Sequence, residues 1–483
     1  MTPLDIHCIA IGGTGMAPLA CLLREFGHQV RGSDGPLYPP MSTLLEEAGI
    51  EALVGYGPQN LEPRPDLVVV GNAIPRSNPE ATAARELELE MLSMPETLAR
   101  FFLGERKPLV VAGTHGKTTT TSMAAWVYEH AGRSPGFLIG GVPLNLERSF
   151  AIGSGERFVI EGDEYNAAYF DRGPKFLHYR PHTAILTSVE HDHADLYAEP
   201  EDLLAAYRQL VTIIPDNGLL VAYGDDPEVR EVAGHARCRV LFYGLGASNS
   251  VRATSWEHDG TGVRAAIADS AIDGAEGEIE HHTLRLRMAG VHNLLNALAV
   301  WAVARADGLT PDEICSAFSS FAGVRRRQEE LGTAAGVTVV DDFAHHPTAV
   351  AATLPALAAR YRGRRLVAAF EPRSLTAGRE MFSGAYRTAF AAAGAVFFAP
   401  LFHAGRLAAE GPLDLVRLAE TLSGDGIPTE TTTTVSELRA ALLADLRAGD
   451  VLVTMSSGSF ERLPHNILEA LRERDSKAGH SPR

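Results

Sequence analysis

Apolar residues along this chain gather in short runs, each closed by glycine or polar residues and followed by a stretch with helical spacing. Ile6 to Ile11, Leu67 to Val70, Pro108 to Ala112, Phe158 to Ile160, Thr183 to Leu186, Val337 to Val340, Leu366 to Phe370 and Val451 to Val453 are such runs. Buried strands that alternate with helices predict an α/β architecture with mainly parallel sheets. Ligands of such sheets gather at the C-terminal strand ends. The stretch 244–284 breaks the rhythm, since small and polar residues alternate there. That pattern predicts antiparallel strands and hairpins added to a sheet.

One run carries more than a strand. After Ala112 come Gly113-Thr114-His115-Gly116-Lys117-Thr118-Thr119, and a helical pattern continues through Ser122, Met123, Ala124 and Trp126. Strand, glycine turn, Lys-Thr and helix is an arrangement that holds a nucleoside triphosphate. The turn amides and the helix N-terminus face the phosphates, Lys117 meets the β/γ oxygens, and the Thr118 hydroxyl can ligate Mg²⁺. Val111 stands where the full consensus has a glycine, so this is the shortened G-T-x-G-K-T form. The bland alternative is a tight strand-to-helix turn with an incidental lysine.

Two further strands end in acids and histidines: Glu161-Gly162-Asp163-Glu164-Tyr165 and Glu190-His191-Asp192-His193-Ala194-Asp195. In one parallel sheet, these ends would bring Lys117, Thr118, Glu161 and Glu190/His193 to a common edge. Hard oxygen donors with one imidazole suit Mg²⁺ or Mn²⁺ on phosphates better than structural zinc. Each cluster taken alone also reads as a solvated strand end.

The N-terminal run is followed by Gly12-Gly13-Thr14-Gly15, a helical segment from Met16 to Phe26, and a second strand ending at Ser33-Asp34. This βαβ unit is close to a dinucleotide fingerprint, with Ala10 where the first glycine belongs. The turn either binds a nucleotide diphosphate or only packs a helix on a strand. Asn72 follows the strand Leu67 to Val70, again at a ligand-binding edge. Farther on, Asn293 and Asn296 are three apart and share one helix face, where they either read an adenine edge or serve as cap and solvent contacts. Past the basic turn Arg325-Arg326-Arg327 come Asp341-Asp342-Phe343-Ala344-His345-His346-Pro347-Thr348 and Glu371-Pro372-Arg373-Ser374, both after strands. Such acids and arginines form an ion-pair network or a binding face.

With 483 residues the chain is long enough for about three domains, and the polar breaks at 104–107 and 323–327 divide it into 1–106, 107–324 and 325–483. A net charge of −17 argues against non-specific binding to nucleic acid or an anionic membrane. Any phosphate must therefore be held by local arrangements. The four cysteines are scattered without metal or disulfide spacing, and no apolar stretch is long enough to span a bilayer. A cytoplasmic protein is expected.

Taken together, I-G-G-T-G-M (11–16), G-T-H-G-K-T-T-T (113–120), E-G-D-E-Y (161–165), E-H-D-H-A-D (190–195), G-V-H-N-L-L-N-A (290–297), R-R-R (325–327) and D-D-F-A-H-H-P-T (341–348) resemble the Mur ligases of peptidoglycan synthesis. The resemblance implies a Rossmann-like first domain for a UDP sugar, a central ATPase domain and a C-terminal Rossmann-like ligase domain. It implies ATP and Mg²⁺ (or Mn²⁺) as cofactors and a carboxylate activated as an acyl phosphate before an amine captures it.

By family position, Gly12, Gly13, Thr14, Gly15, Ser33, Asp34 and Asn72 face the UDP sugar. Gly113 to Thr119, Asn293, Asn296 and Arg327 face ATP, and Thr118, Glu161 and His193 hold metal. Lys117, Arg327, His345 and His346 lie about the reaction centre, Asp342 lies near the ribose or that centre, and Arg373 is a candidate grip for a peptide carboxylate. Within the family, Y-P-P-M-S-T (38–43), G-N-A-I (71–74) and E-P-R-S (371–374) resemble the branch that joins UDP-N-acetylmuramate to the murein tripeptide L-alanyl-γ-D-glutamyl-meso-diaminopimelate in recycling. The sibling branch that adds L-alanine is the alternative. A non-catalytic nucleotide-sugar sensor ranks lower, and a dehydrogenase on the first glycine turn ranks last. Tyr207 occupies the position of a carbamoylated lysine used as a metal ligand by several family members.

Overall fold

The structure is a computed structural model that describes residues 2–190, 196–197, 199–270, 279–408 and 411–478. Three main sheets follow one another along the chain. The first is wholly parallel, with β1 (Asp5–Ile9), β2 (Gln29–Asp34), β3 (Glu51–Val54), β4 (Leu67–Val70) and β5 (Met91–Ser93) in the order β3-β2-β1-β4-β5. The order reverses direction beside β1, which opens a crevice over the first glycine turn.

The central sheet is built on β6 (Lys107–Ala112), β7 (Gly136–Leu138), β8 (Phe150–Ala151) and β9 (Arg157–Gly162), with a separate hairpin of β10 (Asn166–Ala168) and β11 (Asp171–Pro174). It continues through β12 (Thr183–Leu186), β13 (Leu219–Tyr223), β14 (Arg239–Gly244), β15 (Val251–His258), β16 (Val263–Asp269) and β17 (Glu280–Leu286). The ten strands run β17-β16-β15-β14-β13-β12-β6-β9-β7-β8, parallel from β15 to β7. β15 to β17 are antiparallel, as the alternation over 244–284 predicts.

The third sheet holds β18 (Glu329–Ala334), β19 (Val337–Asp342), β20 (Leu366–Phe370), β21 (Ala395–Phe398), β22 (Thr429–Thr431) and β23 (Val451–Met455). Its order is β18-β19-β23-β20-β21-β22, with only β18 antiparallel.

The central strands are apolar along their middles because helices cover both faces of the sheet. Helix Val291–Ala306 packs Leu294, Leu298 and Trp301 on one face with Met123 and Val127 from helix Lys117–His130. The other face of the sheet joins a core that also contains Ile6, Cys8 and Leu22 of the first unit. Phe102 links the two, its ring 6.4 Å from that of Phe158. The third sheet has separate cores, one around Phe370, Tyr386 and Phe398 and the other around Val339, Leu452 and Ile467. It joins the central sheet through backbone pairing of Pro143 with Val324 and through Arg325 N–H donating to Val142 O at 3.0 Å. Among the described residues, no helix is long and apolar enough to cross a membrane.

Candidate functional site

The adjacency β12-β6-β9 places three loop-bearing strand ends side by side, since Ala112 pairs with Gly162 on one flank and with Leu186 on the other. The loop from Gly113 to Gly116 leaves β6 and enters helix Lys117–His130, with Gly116 as N-cap in the left-handed region at φ 81°. A side chain there would be strained, and its Cβ would lie 2.7 Å from Asn296 Oδ1. That close approach packs the helix carrying Asn296 against the loop. Thr114 N–H donates to Ser188 O at 3.0 Å and His115 N–H to Ser188 Oγ at 3.1 Å, so the loop's outward path is fixed by the end of β12. The N–H groups of the helix start face the open edge.

Lys117 Nζ donates to Gly113 O at 2.7 Å and to Glu164 at 2.9 and 3.2 Å. Burial would lower its pKa, but Glu164, Asp163 and Glu161 together raise it, so the ammonium stays charged. Thr118 Oγ1 donates to Glu161 Oε2 at 3.0 Å, and Gly140 N–H donates to the other carboxylate oxygen at 2.6 Å. Burial and the neighbouring Asp163 push Glu161 above the usual carboxylate range. Lys175 pairs with Asp163 at 3.3 Å, and the Thr118 hydroxyl with Glu161 is a hard oxygen pair suited to Mg²⁺. His193, the expected third ligand, lies outside the described residues.

From the third unit, Arg327 reaches into the same edge, with Nη2 3.5 Å from Thr118 Oγ1 and its guanidinium 4.4 Å from the centre of the Phe343 ring. Burial lowers its pKa, opposed by Asp342 and Glu161. Asp342 does not point at that edge as a free carboxylate. It accepts from Gln328 N–H and Ala344 N–H, both at 2.7 Å, and so fixes the loop that carries Arg327. Burial raises its pKa, with Arg327 opposing. His345 Nδ1 lies 2.9 Å from Phe343 O, and His346 caps helix Pro347–Arg360 with its ring 5.5 Å from that of His115.

The two asparagines are linked to each other and to neighbours at the start of the same helix. Asn293 Nδ2 donates to Ala289 O at 2.8 Å and approaches His292 Nε2 at 3.1 Å, while Asn296 Nδ2 is 3.5 Å from Asn293 Oδ1. His292 Nε2 also lies 3.3 Å from Gln328 Nε2. With amides on both sides it is an acceptor, and burial lowers its pKa from 6.5 to about 4.

Protonation of His292 therefore favours the unfolded chain. Its contribution is complete above about pH 6.5 and is lost as pH falls through about 4, on the order of 3 kcal/mol. In urea unfolding at pH 7 and pH 4.5, His292→Asn is expected to lose less stability between the two pH values than the parent. An equal loss would contradict this.

On the first sheet, the turn after β1 keeps the geometry its sequence departs from. Ala10 adopts φ 66°, the left-handed conformation that a glycine would occupy without strain. Gly12 N–H donates to Asp34 Oδ2 at 2.8 Å, and Asp34 Oδ1 accepts from Gly35 N–H and Tyr56 OH. The Ser33 hydroxyl is buried and donates to Glu80 at 2.6 Å. Glu80 also engages His7, Gly57 N–H and Asn60. A cavity of about 770 Å³ opens beside the turn, lined by Gly12, Gly13, Asp34, Tyr38, Tyr56 and Asn78 among others. Thr14 and Gly15 complete the turn before helix Met16–Glu25, and Asn72 is exposed just past β4.

Arg373, after β20, lies with its guanidinium 3.6 Å from the centre of the Phe402 ring and Nη1 3.7 Å from Glu371. Tyr207 is fully buried and stacks on Phe176 at 5.7 Å. It belongs to the core.

Sequence reasoning left three contributors without a role. Glu164 lies within a motif already noted, where only Glu161 was assigned. Gly140 acts through its backbone N–H, and Gln328 through backbone and amide together. For the last two no side-chain pattern gives a signal.

Family models match in chain order: the Mur ligase family catalytic domain over residues 5–106, the Mur ligase middle domain over 111–304 and the Mur ligase glutamate ligase domain over 326–458. The chain is 38% identical over 479 residues to the UDP-N-acetylmuramate–L-alanyl-gamma-D-glutamyl-meso-2,6-diaminoheptandioate ligase of Escherichia coli K12, covering 98% of this chain and 100% of that one. It is 35% identical over 464 residues to a UDP-N-acetylmuramate–L-alanine ligase of Acidithiobacillus ferrooxidans, covering 95% of this chain and 96% of that one. Among solved structures, a murein peptide ligase from Psychrobacter arcticus 273-4 superposes with a TM-score of 0.72 at 34% identity, over 97% of this chain and 99% of that one. With three matching domains and whole-length relatives, the chain belongs to the Mur ligases, a family of ATP-dependent, amide-bond-forming ligases.

Proposed function

We propose that this chain joins the carboxylate of UDP-N-acetylmuramate to the amine of L-alanyl-γ-D-glutamyl-meso-diaminopimelate at the expense of ATP. The observation that carries this reading is the 38% identity, over the whole of both chains, to an enzyme of that name. The converging strand ends support it chemically. In this reading residues 1–106 bind the UDP sugar through Gly12 to Gly15, Asp34 and Asn72, with Ser33 acting through Glu80. Residues 107–324 bind ATP, and residues 325–483 bind the peptide, with Arg373 as grip for a carboxylate. Asn293 and Asn296 flank the base of ATP.

The muramate carboxylate oxygen attacks the γ-phosphorus, and ADP leaves. The peptide's α-amine then attacks the acyl carbon and expels phosphate. Both steps build charge on transferring oxygens, so catalysis is chiefly positioning and neutralisation. Lys117 neutralises the β/γ oxygens, and Arg327 meets the γ-phosphate from the third domain. Asp342 holds the Arg327 loop, and His345 or His346 orients the intermediate or takes the amine proton. Thr118, Glu161 and His193 would hold Mg²⁺, which would supply further charge neutralisation.

A second reading, addition of L-alanine, is favoured by the 35% identity to the Acidithiobacillus ligase. Phosphate release from ATP with UDP-N-acetylmuramate, measured with each acceptor, separates the two. The tripeptide is expected to exceed L-alanine in kcat/KM by at least about a hundredfold, since a peptide-sized site loses most of its contacts with the single residue. The reverse order would establish the second reading.

A further inference from the structure

Glu190 sits where three segments meet. Its backbone is fixed to the phosphate-facing loop: Glu190 N–H donates to Thr114 Oγ1 at 2.9 Å, and Thr114 Oγ1 donates to Glu190 O at 3.0 Å. One carboxylate oxygen takes His115 Nε2 at 2.7 Å. The other accepts from Thr348 Oγ1 at 2.8 Å and lies 4.0 Å from His346 Nδ1. Thr348 lies in the first turn of helix Pro347–Arg360 and His346 is its N-cap, both in the third domain. A single carboxylate is thus shared, one oxygen to each side, between the nucleotide loop and the domain that closes on it.

We infer that Glu190 is a positioning residue that couples docking of the third domain to the shape of the nucleotide loop, with the Thr348 hydroxyl as the group it reads. This rests on the reading of residues 113–118 as the loop that holds the triphosphate. His115 is two residues from Lys117, and both Thr114 and His115 hang on Ser188. When Thr348 donates to Glu190, the carboxylate is held in the orientation that also holds His115, and the loop is fixed at the moment Arg327 arrives beside Thr118. With the domains apart, that oxygen turns to water and the His115 side of the loop loses its brace. Hydrogen bonds to a carboxylate are among the stronger ones, which makes the contact a usable signal of closure.

The test uses the full chain with ATP, UDP-N-acetylmuramate and whichever acceptor supports turnover. Thr348→Val keeps the shape and removes the hydroxyl, whereas Thr348→Ser keeps the hydroxyl. Thr348→Val is expected to lower kcat about tenfold with the Kd for ATP, measured by calorimetry, within about twofold of the parent. Thr348→Ser is expected to stay within about twofold in both. In a Glu190→Ala background, Thr348→Val should lower kcat by less than about twofold further, because the partner is already gone. The inference is overturned if Thr348→Val turns over like the parent, if Thr348→Ser is as slow as Thr348→Val, or if the same tenfold loss recurs without Glu190. Lys117→Ala addresses the underlying reading separately: if it still binds ATP like the parent, the loop assignment fails whatever the Thr348 variants do.

Discussion

Lys117→Ala is expected to reduce ligation by about 10³-fold or more, measured as ADP formation dependent on UDP-N-acetylmuramate. The ammonium is fixed at the start of helix Lys117–His130 by Gly113 O and Glu164, a position from which no other side chain of that loop carries a lysine's charge. A second effect must be separated from the first. Lys117 and Glu164 are 13% and 2% exposed, so removing the lysine takes a counter-charge from a buried carboxylate. That alone costs about 3 kcal/mol of stability. Lys117→Ala/Glu164→Gln removes that buried charge and is expected to recover most of the unfolding midpoint while recovering none of the activity. Activity that returns with stability would show that Lys117 matters to the fold and not to phosphoryl transfer.

The largest stability effect is expected far from that edge. Arg157, at the start of β9, donates through Nε to Asp307 at 2.8 Å and through Nη1 to Thr183 at 3.0 Å, and its Nη2 also meets Asp307. Tyr128 donates to the same carboxylate, and burial and Asp307 raise its phenol well above the usual range. Asp307 caps helix Val291–Ala306, so this network ties two helices to the N-terminal edge of the central sheet. Arg157→Ala leaves Asp307 with only the Tyr128 hydroxyl among these partners and should cost about 3 kcal/mol in urea unfolding. Where the variant remains folded, kcat should be unchanged, since the network lies at the opposite end of the strands from Lys117. A loss below about 1 kcal/mol would show that water replaces the guanidinium at little cost.

What could be read from the chain depended on how local each signal was. The loop 113–118 and the strands feeding it are contiguous, so the spacing of glycines, lysine and apolar residues discloses both shape and chemistry. The neighbourhood of Glu161 follows from one further inference, that β6 and β9 are adjacent. The first glycine turn shows the limit of motif matching, because Ala10 departs from the consensus yet keeps the backbone conformation that makes glycine usual there. Ser33 lies in the expected turn but its hydroxyl is spent on Glu80, a residue brought near only by folding. Thr348 and Glu190 are 158 residues apart, and nothing in either segment announces the contact. Pairings across domain faces depend on side-chain reach and on docking, which periodicity does not encode.

The hydrophobic core that runs unbroken from Ile6 and Leu22 through Phe102 to Phe158 has a kinetic meaning. It welds the proposed sugar-acid seat and the proposed triphosphate seat into one stiff body, whereas the third domain keeps cores of its own. The chain passes into that third domain at residues 323–328, where Arg325 N–H donates to Val142 O, so movement there would admit the peptide of the proposed reaction. In the proposed reaction an activated acyl group would be exposed to water whenever the two bodies part, so wasted ATP would track how often they separate between the two chemical steps.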